Sequence, residues 1–295
     1  MSVPLSYIAV IMIWATTPLA IKWSSQGASF IFAVSSRMIL GAILALAITA
    51  MIRKQLPWDR SSVLAYLYSG LGFSVAMICV YWGAQFIPSG WVSLLFGTSP
   101  LITGVLVYVL SGSNELSNEK IIGLLLALAG LSVIFITGFT VDGMAVAGIL
   151  AVLLSTVIYS YTALKVKQHN NGLPAMTINT GGLLVAVPLY GLSWLLIDGQ
   201  VPDELPLQAG LSILYLAIFG TLVGFALFFY ILKNVSVTRV SLITLITPVA
   251  ALVLGNYLNG EPVTLQVVLG AMMILTGLAA YEFGHLLKRR RVCQQ

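Results

Sequence analysis

Residues 66–100 read YLYSGLGFSVAMICVYWGAQFIPSGWVSLLFGTSP, and residues 214–248 read LYLAIFGTLVGFALFFYILKNVSVTRVSLITLITP. At a gapless shift of 148, Gly72 falls on Gly220, Val75 on Val223, Val92-Ser93-Leu94 on Val240-Ser241-Leu242 and Pro100 on Pro248. Leucine and valine matches are cheap in apolar sequence. The glycine and proline matches weigh more, because each of these residues constrains the backbone. Further along, a shift of 147 places Gly123 on Gly270 and Gly130-Leu131 on Gly277-Leu278, with Glu115 and Glu261 preceding those glycines at nearly equal distance. We therefore divide the chain into two related halves, 1–138 and 139–295.

Both halves are strongly apolar. Of the 295 residues 59% are hydrophobic and 8% charged, against about 25% charged in soluble domains. A soluble protein of this composition would expose extended apolar patches, whereas a bilayer tolerates an apolar exterior. Crossing the hydrocarbon takes roughly 20 apolar residues in a helix. Breaks in the apolar pattern set expected spans at 3–22, 29–52, 61–85, 89–111, 119–138, 145–167, 174–198, 206–233, 236–259 and 262–287. The first lacks a basic leader and a small-residue cleavage site, so it reads as a retained helix and not as a signal peptide.

With the N-terminus placed in the cytoplasm, twelve of the fourteen lysines and arginines fall on the inside: Arg53, Lys54, Arg60, Lys120, Lys165, Lys167, Lys233, Arg239 and residues 288–291. Lys22 falls outside and Arg37 within a span. This is the positive-inside pattern, and it accounts for the net charge of +5 without a nucleic-acid partner. The expected fold is an all-α integral membrane protein of ten transmembrane helices, N-in and C-in. Five spans per half is an odd number, so the second half enters the membrane in the opposite sense. Such inverted repeats are the architecture of many secondary transporters, with the site between the halves.

Residues that stand out inside the spans are few. Arg37 is the one strong charge well inside a span. It reads either as a counter-ion for a carboxylate or phosphate or as a structurally hydrogen-bonded or snorkelling side chain. Pro18, Pro100 and Pro248 each follow threonine or serine, and each is expected to kink a helix. The hydroxyls either satisfy freed carbonyls or line a cavity. Trp14 and Tyr159 lie too deep for an interfacial belt and suit an aromatic wall, whereas Tyr81, Trp82 and Trp91 flank a hairpin and suit a belt. Glu282, near the end of the last span, is expected to pair with His285 or the basic tail.

Absent patterns narrow the function. No carboxylate sits mid-span to relay protons, which favours facilitated diffusion over carboxylate-relay antiport. No Walker A motif is present, and no intramembrane histidine stands near a serine to activate it. Cys79 and Cys293 form no CxxC pair, and His169 and His285 are far apart in sequence. No enzyme activity, cofactor or metal is expected.

Ile13-Trp14-Ala15, Leu245-Ile246-Thr247-Pro248, Asn259-Gly260-Glu261-Pro262 and the Gly270…Gly277 spacing, set in ten spans, resemble the EamA-domain branch of the drug/metabolite transporter superfamily. Within that branch the chain is similar to bacterial amino-acid and metabolite exporters of the YddG type. The first half departs from the pattern at Ser113-Asn114-Glu115, where Gly-Glu is typical. The resemblance implies a carrier in a bacterial inner membrane, with a cavity formed by the first, third, fourth, sixth, eighth and ninth spans. It implies Trp14, Thr17, Tyr81, Thr98, Tyr159, Ser160, Tyr230 and Thr247 as lining residues. Arg37, on the second span, falls outside that set. The embedded glutamate of small multidrug exporters has no counterpart here. The expected partners are a small-molecule substrate and the lipid bilayer, with a monomer as the simplest assembly. Rival readings are a carrier for aromatic or quaternary-amine solutes, and a non-carrier subunit of a membrane complex.

Overall fold

The computed structural model describes residues 2–111, 118–137, 143–169, 172–235 and 243–292, with backbone alone at 111, 118–119, 124, 131, 134–137, 244–246 and 281–292. Ser113-Asn114-Glu115, Arg239, Val240-Ser241-Leu242, Cys293 and the expected pairing of Glu282 lie outside the described residues or side chains.

The described residues are helical, with no strand among them. We label the helices α1 (Val3–Ser24), α2 (Phe30–Met51), α3 (Arg60–Gly83), α4 (Ser89–Leu110), α5 (Asn118–Thr137), α6 (Gly143–His169), α7 (Ala175–Ile197), α8 (Leu207–Asn234), α9 (Ile243–Asn259) and α10 (Leu265–Val292). Seven of them, α1–α4 and α6–α8, are long and apolar enough to cross a membrane. α5 and α10 carry shorter apolar stretches, Lys120–Gly130 and Leu265–Ala280. Helices suit this sequence because they satisfy backbone groups internally where lipid offers no partners. Their outer faces carry exposed apolar side chains such as Leu5, Ile8 and Met12 on α1 and Leu192, Leu195 and Leu196 on α7. The chain is a multi-pass membrane protein.

Polar residues set several helix ends. Ser29 accepts from the Phe32 amide at 3.3 Å to start α2, and Asp59 accepts from the Ser62 amide at 3.2 Å to start α3. Gly260, at φ 61°, ends α9 and turns the chain so that Glu261 comes back against the helix end. α3 and α8 each contain a π-helical segment, Tyr68–Gly72 and Leu216–Val223, beginning 148 residues apart as the sequence match does. Asn179 on α7 donates to the Thr221 and Leu222 carbonyls of the second segment at 3.2 and 3.3 Å.

The packing pairs recur five helices on. α1 meets α8 and α9, while α6 meets α3 and α4; α2 meets the π segment of α8, while α7 meets that of α3. α2 packs on α7 and α5 on α10. Thr49 bonds Thr180 at 2.8 Å and Ser35 donates to the Tyr190 carbonyl at 3.1 Å, so α2 and α7 run antiparallel. α5 and α10 do likewise, with reciprocal glycines. A Cβ at Gly130 would lie 2.6 Å from the Gly270 carbonyl oxygen, and one at Gly277 would lie 2.6 Å from that of Gly123. Small residues allow such close backbone approach.

Contacts between helix ends sort into two groups. At one end Ser29 bonds Asp198, Trp23 donates to Asn259 at 3.0 Å and Lys22 faces Glu261 at 3.6 Å. At the other Ser61 donates to the His169 carbonyl at 3.0 Å, Lys167 to that of Val235 at 2.7 Å and Lys233 to that of Gly172 at 2.7 Å.

The proline expectations divide. Pro18 and Pro248 lie inside helices. Pro100 does not: α4 breaks after Phe96 and resumes at Ser99, so Pro100 is the second residue of a new helical segment. No donor is lost at that position.

Candidate functional site

Between the helices lies a cavity lined by Trp14, Thr17, Pro18, Ile21, Arg37, Met77, Val92, Ser93, Phe96, Tyr159, Gly220, Phe225 and Thr247. Water centres can occupy about 90 Å³ of it, whereas one bound water needs about 10–15 Å³. The space suits a small solute. Its wall is apolar with a few polar points, the usual character of a small-molecule site.

α1 contributes a stripe. Trp14, Thr17, Pro18 and Ile21 follow at spacings of three and four and so share one face. Thr17 Oγ1 donates to the Ile13 carbonyl at 2.7 Å, as Thr16 Oγ1 does at 2.8 Å. Neither of these bonds reaches the Trp14 carbonyl that Pro18 frees, and Thr17 also lines the cavity. Val92, Ser93 and Phe96 form a second stripe on the first segment of α4.

Tyr159 on α6 stands among four rings. Its centroid lies 6.3 Å from Trp14, 5.1 Å from Phe73, 5.9 Å from Phe96 and 5.6 Å from Phe228. Such edge-on and tilted contacts fix the ring. Its hydroxyl, though buried, has no hydrogen-bond partner among the described residues. Buried polar atoms of this kind are uncommon and call for an explanation.

Arg37 reaches the cavity from α2 and is 2% exposed. Its Nε donates to Thr221 Oγ1 at 2.9 Å and its Nη1 to Tyr81 Oη at 3.3 Å, and the guanidinium carbon lies 5.9 Å from the Tyr81 ring centre. The ion pair among the described residues is Lys22–Glu261, so no carboxylate neutralises Arg37. An arginine at the centre of a span costs about 2.5–3.5 kcal/mol on insertion scales. Gly220 makes room for it, since a Cβ there would lie 2.8 Å from Nη2.

Of the residues expected to line a cavity, Trp14, Thr17, Tyr159 and Thr247 come together on this wall. Arg37 joins them despite its place on the second span, because the side chain is long enough to pass between α3 and α8. Tyr81 stands behind the wall as the arginine's partner. It is fully buried and Trp91 is 6% exposed, so these two do not form an interfacial belt; both pack inside the helix bundle. Thr98 is also off the wall, bonding the Leu95 carbonyl at 2.6 Å, and Ser160 turns to that of Ser99 at 3.4 Å. Tyr230 lies half-buried against the core, away from the cavity. Ile21, Met77, Val92, Ser93, Phe96, Gly220 and Phe225 escaped residue-by-residue reading. Continuing the Trp14–Thr17 stripe by one turn finds Ile21, and the repeat match already contained Val92, Ser93 and Gly220.

The Glu261 cluster ties the ends of α1, α4 and α9 together. Its Oε2 accepts from Ser89 Oγ at 2.9 Å and the Gly90 amide at 3.3 Å, and its Oε1 from Asn259 at 3.0 Å. Burial pushes its carboxyl up, but the backbone and hydroxyl of the Ser89 turn, the Asn259 amide and Lys22 together hold it below the ordinary value.

Comparisons with known proteins agree with this layout. The chain is 26% identical over 288 residues to the Bacillus subtilis protein named "Uncharacterized transporter YoaV", covering 95% of this chain and 97% of that one. It is 26% identical over 213 residues to a Salmonella typhimurium protein named "Probable amino-acid metabolite efflux pump", covering 68% of this chain and 70% of that one. A solved crystal structure superposes with a TM-score of 0.70 at 20% identity, covering 98% of both chains, and shows a shared fold. The model of the EamA-like transporter family matches twice, over residues 2–136 and 146–281. With nearly the whole length matched and a solute-sized cavity lined from both matched stretches, the chain belongs to the EamA-like transporter family.

Proposed function

We propose that this transporter is an alternating-access carrier that exports small metabolites, amino acids foremost, across a bacterial inner membrane. The observation that carries the reading is the shared cavity. Trp14, Thr17, Arg37, Met77 and Phe96 come from one half, 1–138, and Tyr159, Phe225 and Thr247 from the other, 139–295. We read the halves as inverted repeats within ten spans. The antiparallel run of α2 against α7 and of α5 against α10 supports this, since each pair joins equivalent helices of the two halves. The end of the molecule that carries Arg53, Lys54, Arg60, Lys165, Lys167 and Lys233 is then the cytoplasmic one, and Lys22 with Glu261 lies outside. A monomer suffices for this mechanism, because both halves are in one chain. The name of the Salmonella relative supports amino acids as cargo.

A quaternary-amine cargo would find aromatic faces at Trp14 and Tyr159, but it would set a second cation beside Arg37. Proteoliposomes loaded with radiolabelled amino acids test the proposal. Saturable efflux is expected, with Trp14→Ala and Tyr159→Ala both impairing it. Absence of flux for every amino acid would sink the amino-acid reading.

A further inference from the structure

We infer that Arg37 is the specificity-determining residue of the cavity, and that the cargo it selects is a small monocarboxylate with an apolar body. The inference rests on the cavity being the cargo site. One unused donor reaches that space. Arg37 spends Nε and Nη1 on the neutral oxygens of Thr221 and Tyr81, and Nη2, beside Gly220, has no partner among the described residues. Neutral oxygens solvate a guanidinium but leave its charge in place. A carboxylate supplies the missing charge and accepts from planar N–H donors in charge-assisted bonds.

The rest of the lining fits the remainder of such a molecule. Ile21, Met77, Val92, Phe96 and Phe225 offer an apolar surface. Among the described residues no aspartate or glutamate lines the cavity to receive an ammonium group. The charge is also one-sided. At the shift of 147–148 that relates the halves, Arg37 corresponds to Leu184 or Val185. Gly72, the counterpart of Gly220, faces Thr162 where Gly220 faces Arg37. A purely structural tether between helices has no such reason to differ between related halves.

The test uses four probes that share one isobutyl group: L-leucine, L-leucinamide, 4-methylpentanoate and 3-methylbutylamine. Each is measured for thermal stabilisation of the full chain in detergent and for competition in counterflow. The two carboxylates are expected to bind about tenfold to a hundredfold more tightly than the amide and the amine. Arg37→Gln should erase that preference, and Arg37→Lys should retain part of it, because the charge stays but the planar fork is lost. Equal binding of amide and acid by the unaltered protein would overturn the inference with no need of a variant, as would an unchanged preference in Arg37→Gln. Binding of 4-methylpentanoate without leucine would support the arginine's role and count against amino-acid export. Leucine efflux with leucinamide handled equally would do the reverse.

Discussion

A single buried arginine shows how a charge is kept deep in an apolar chain. Arg37 has no acidic partner among the described residues, and its cost is offset by two hydroxyls and a ring face held at fixed positions. Thr221 has a double duty: its Oγ1 accepts from Arg37 Nε and lies 3.7 Å from Met38 Sδ, while its methyl faces Gly41. Thr221→Val keeps the shape and removes the acceptor. Leaving a buried donor unsatisfied costs about 1–3 kcal/mol. Thr221→Val should therefore lower the melting temperature in detergent, and Thr221→Ser should restore most of the loss.

Among the elements, the joined ends of α1, α4 and α9 carry the clearest pH dependence. The Glu261 carboxyl is depressed in the folded protein, so the folded state binds fewer protons there than the unfolded state does. Its stabilisation is present at neutral pH and is lost as pH falls through the depressed value. Glu261→Ala should lower stability by about 1.5–3 kcal/mol at neutral pH, the usual worth of hydrogen bonds to a charged group. Thermal melts from pH 7 downward should show an acid limb in the unaltered protein that is shallower in Glu261→Gln. A matching contact recurs in the other half, where Lys167 donates to Val235 as Lys22 donates to Ile87 at 3.3 Å. Two equivalent lysines thus bridge a helix end to a hairpin carbonyl at opposite ends of the molecule.

For the whole molecule, the helices were legible because apolar runs of span length and their Gly, Pro and charged breaks follow directly from the bilayer's demands. The expected span 61–85 and the helix Arg60–Gly83 differ by two residues at most. The α5–α10 contact was also foreshadowed, since Gly123, Gly130, Gly270 and Gly277 were the residues that aligned. The cavity was harder to read. Tyr81 and Trp91 carry the composition of a belt, and only the approach of α2 and α8 shows that one of them faces an arginine inside the bundle. Thr98 and Ser160 have the right chemistry at the right depth, but their rotation about the helix axis turns them onto backbone carbonyls. Periodicity within a helix gives relative facing; the absolute facing comes from neighbours far away in sequence.

That Arg37 lacks a counter-ion has an electrical consequence. A cavity open to the cytoplasm shares the cytoplasmic potential, and one open outward shares the external potential. An empty cavity carries the arginine's single positive charge, and one holding a monocarboxylate without an ammonium group is neutral. Reorientation of the empty carrier therefore moves one elementary charge through the field, worth about 2.3 kcal/mol per 100 mV, while the loaded step moves none. In the exporter proposed above, an inside-negative potential draws the empty cavity toward the cytoplasmic side. Efflux of 4-methylpentanoate from proteoliposomes should accelerate when a potassium gradient and ionophore impose that potential; in Arg37→Gln the charge moves on the loaded step instead, so counterflow exchange, insensitive to the potential in the unaltered protein, should become voltage-dependent. The field then favours export of such an anion by the carrier proposed above.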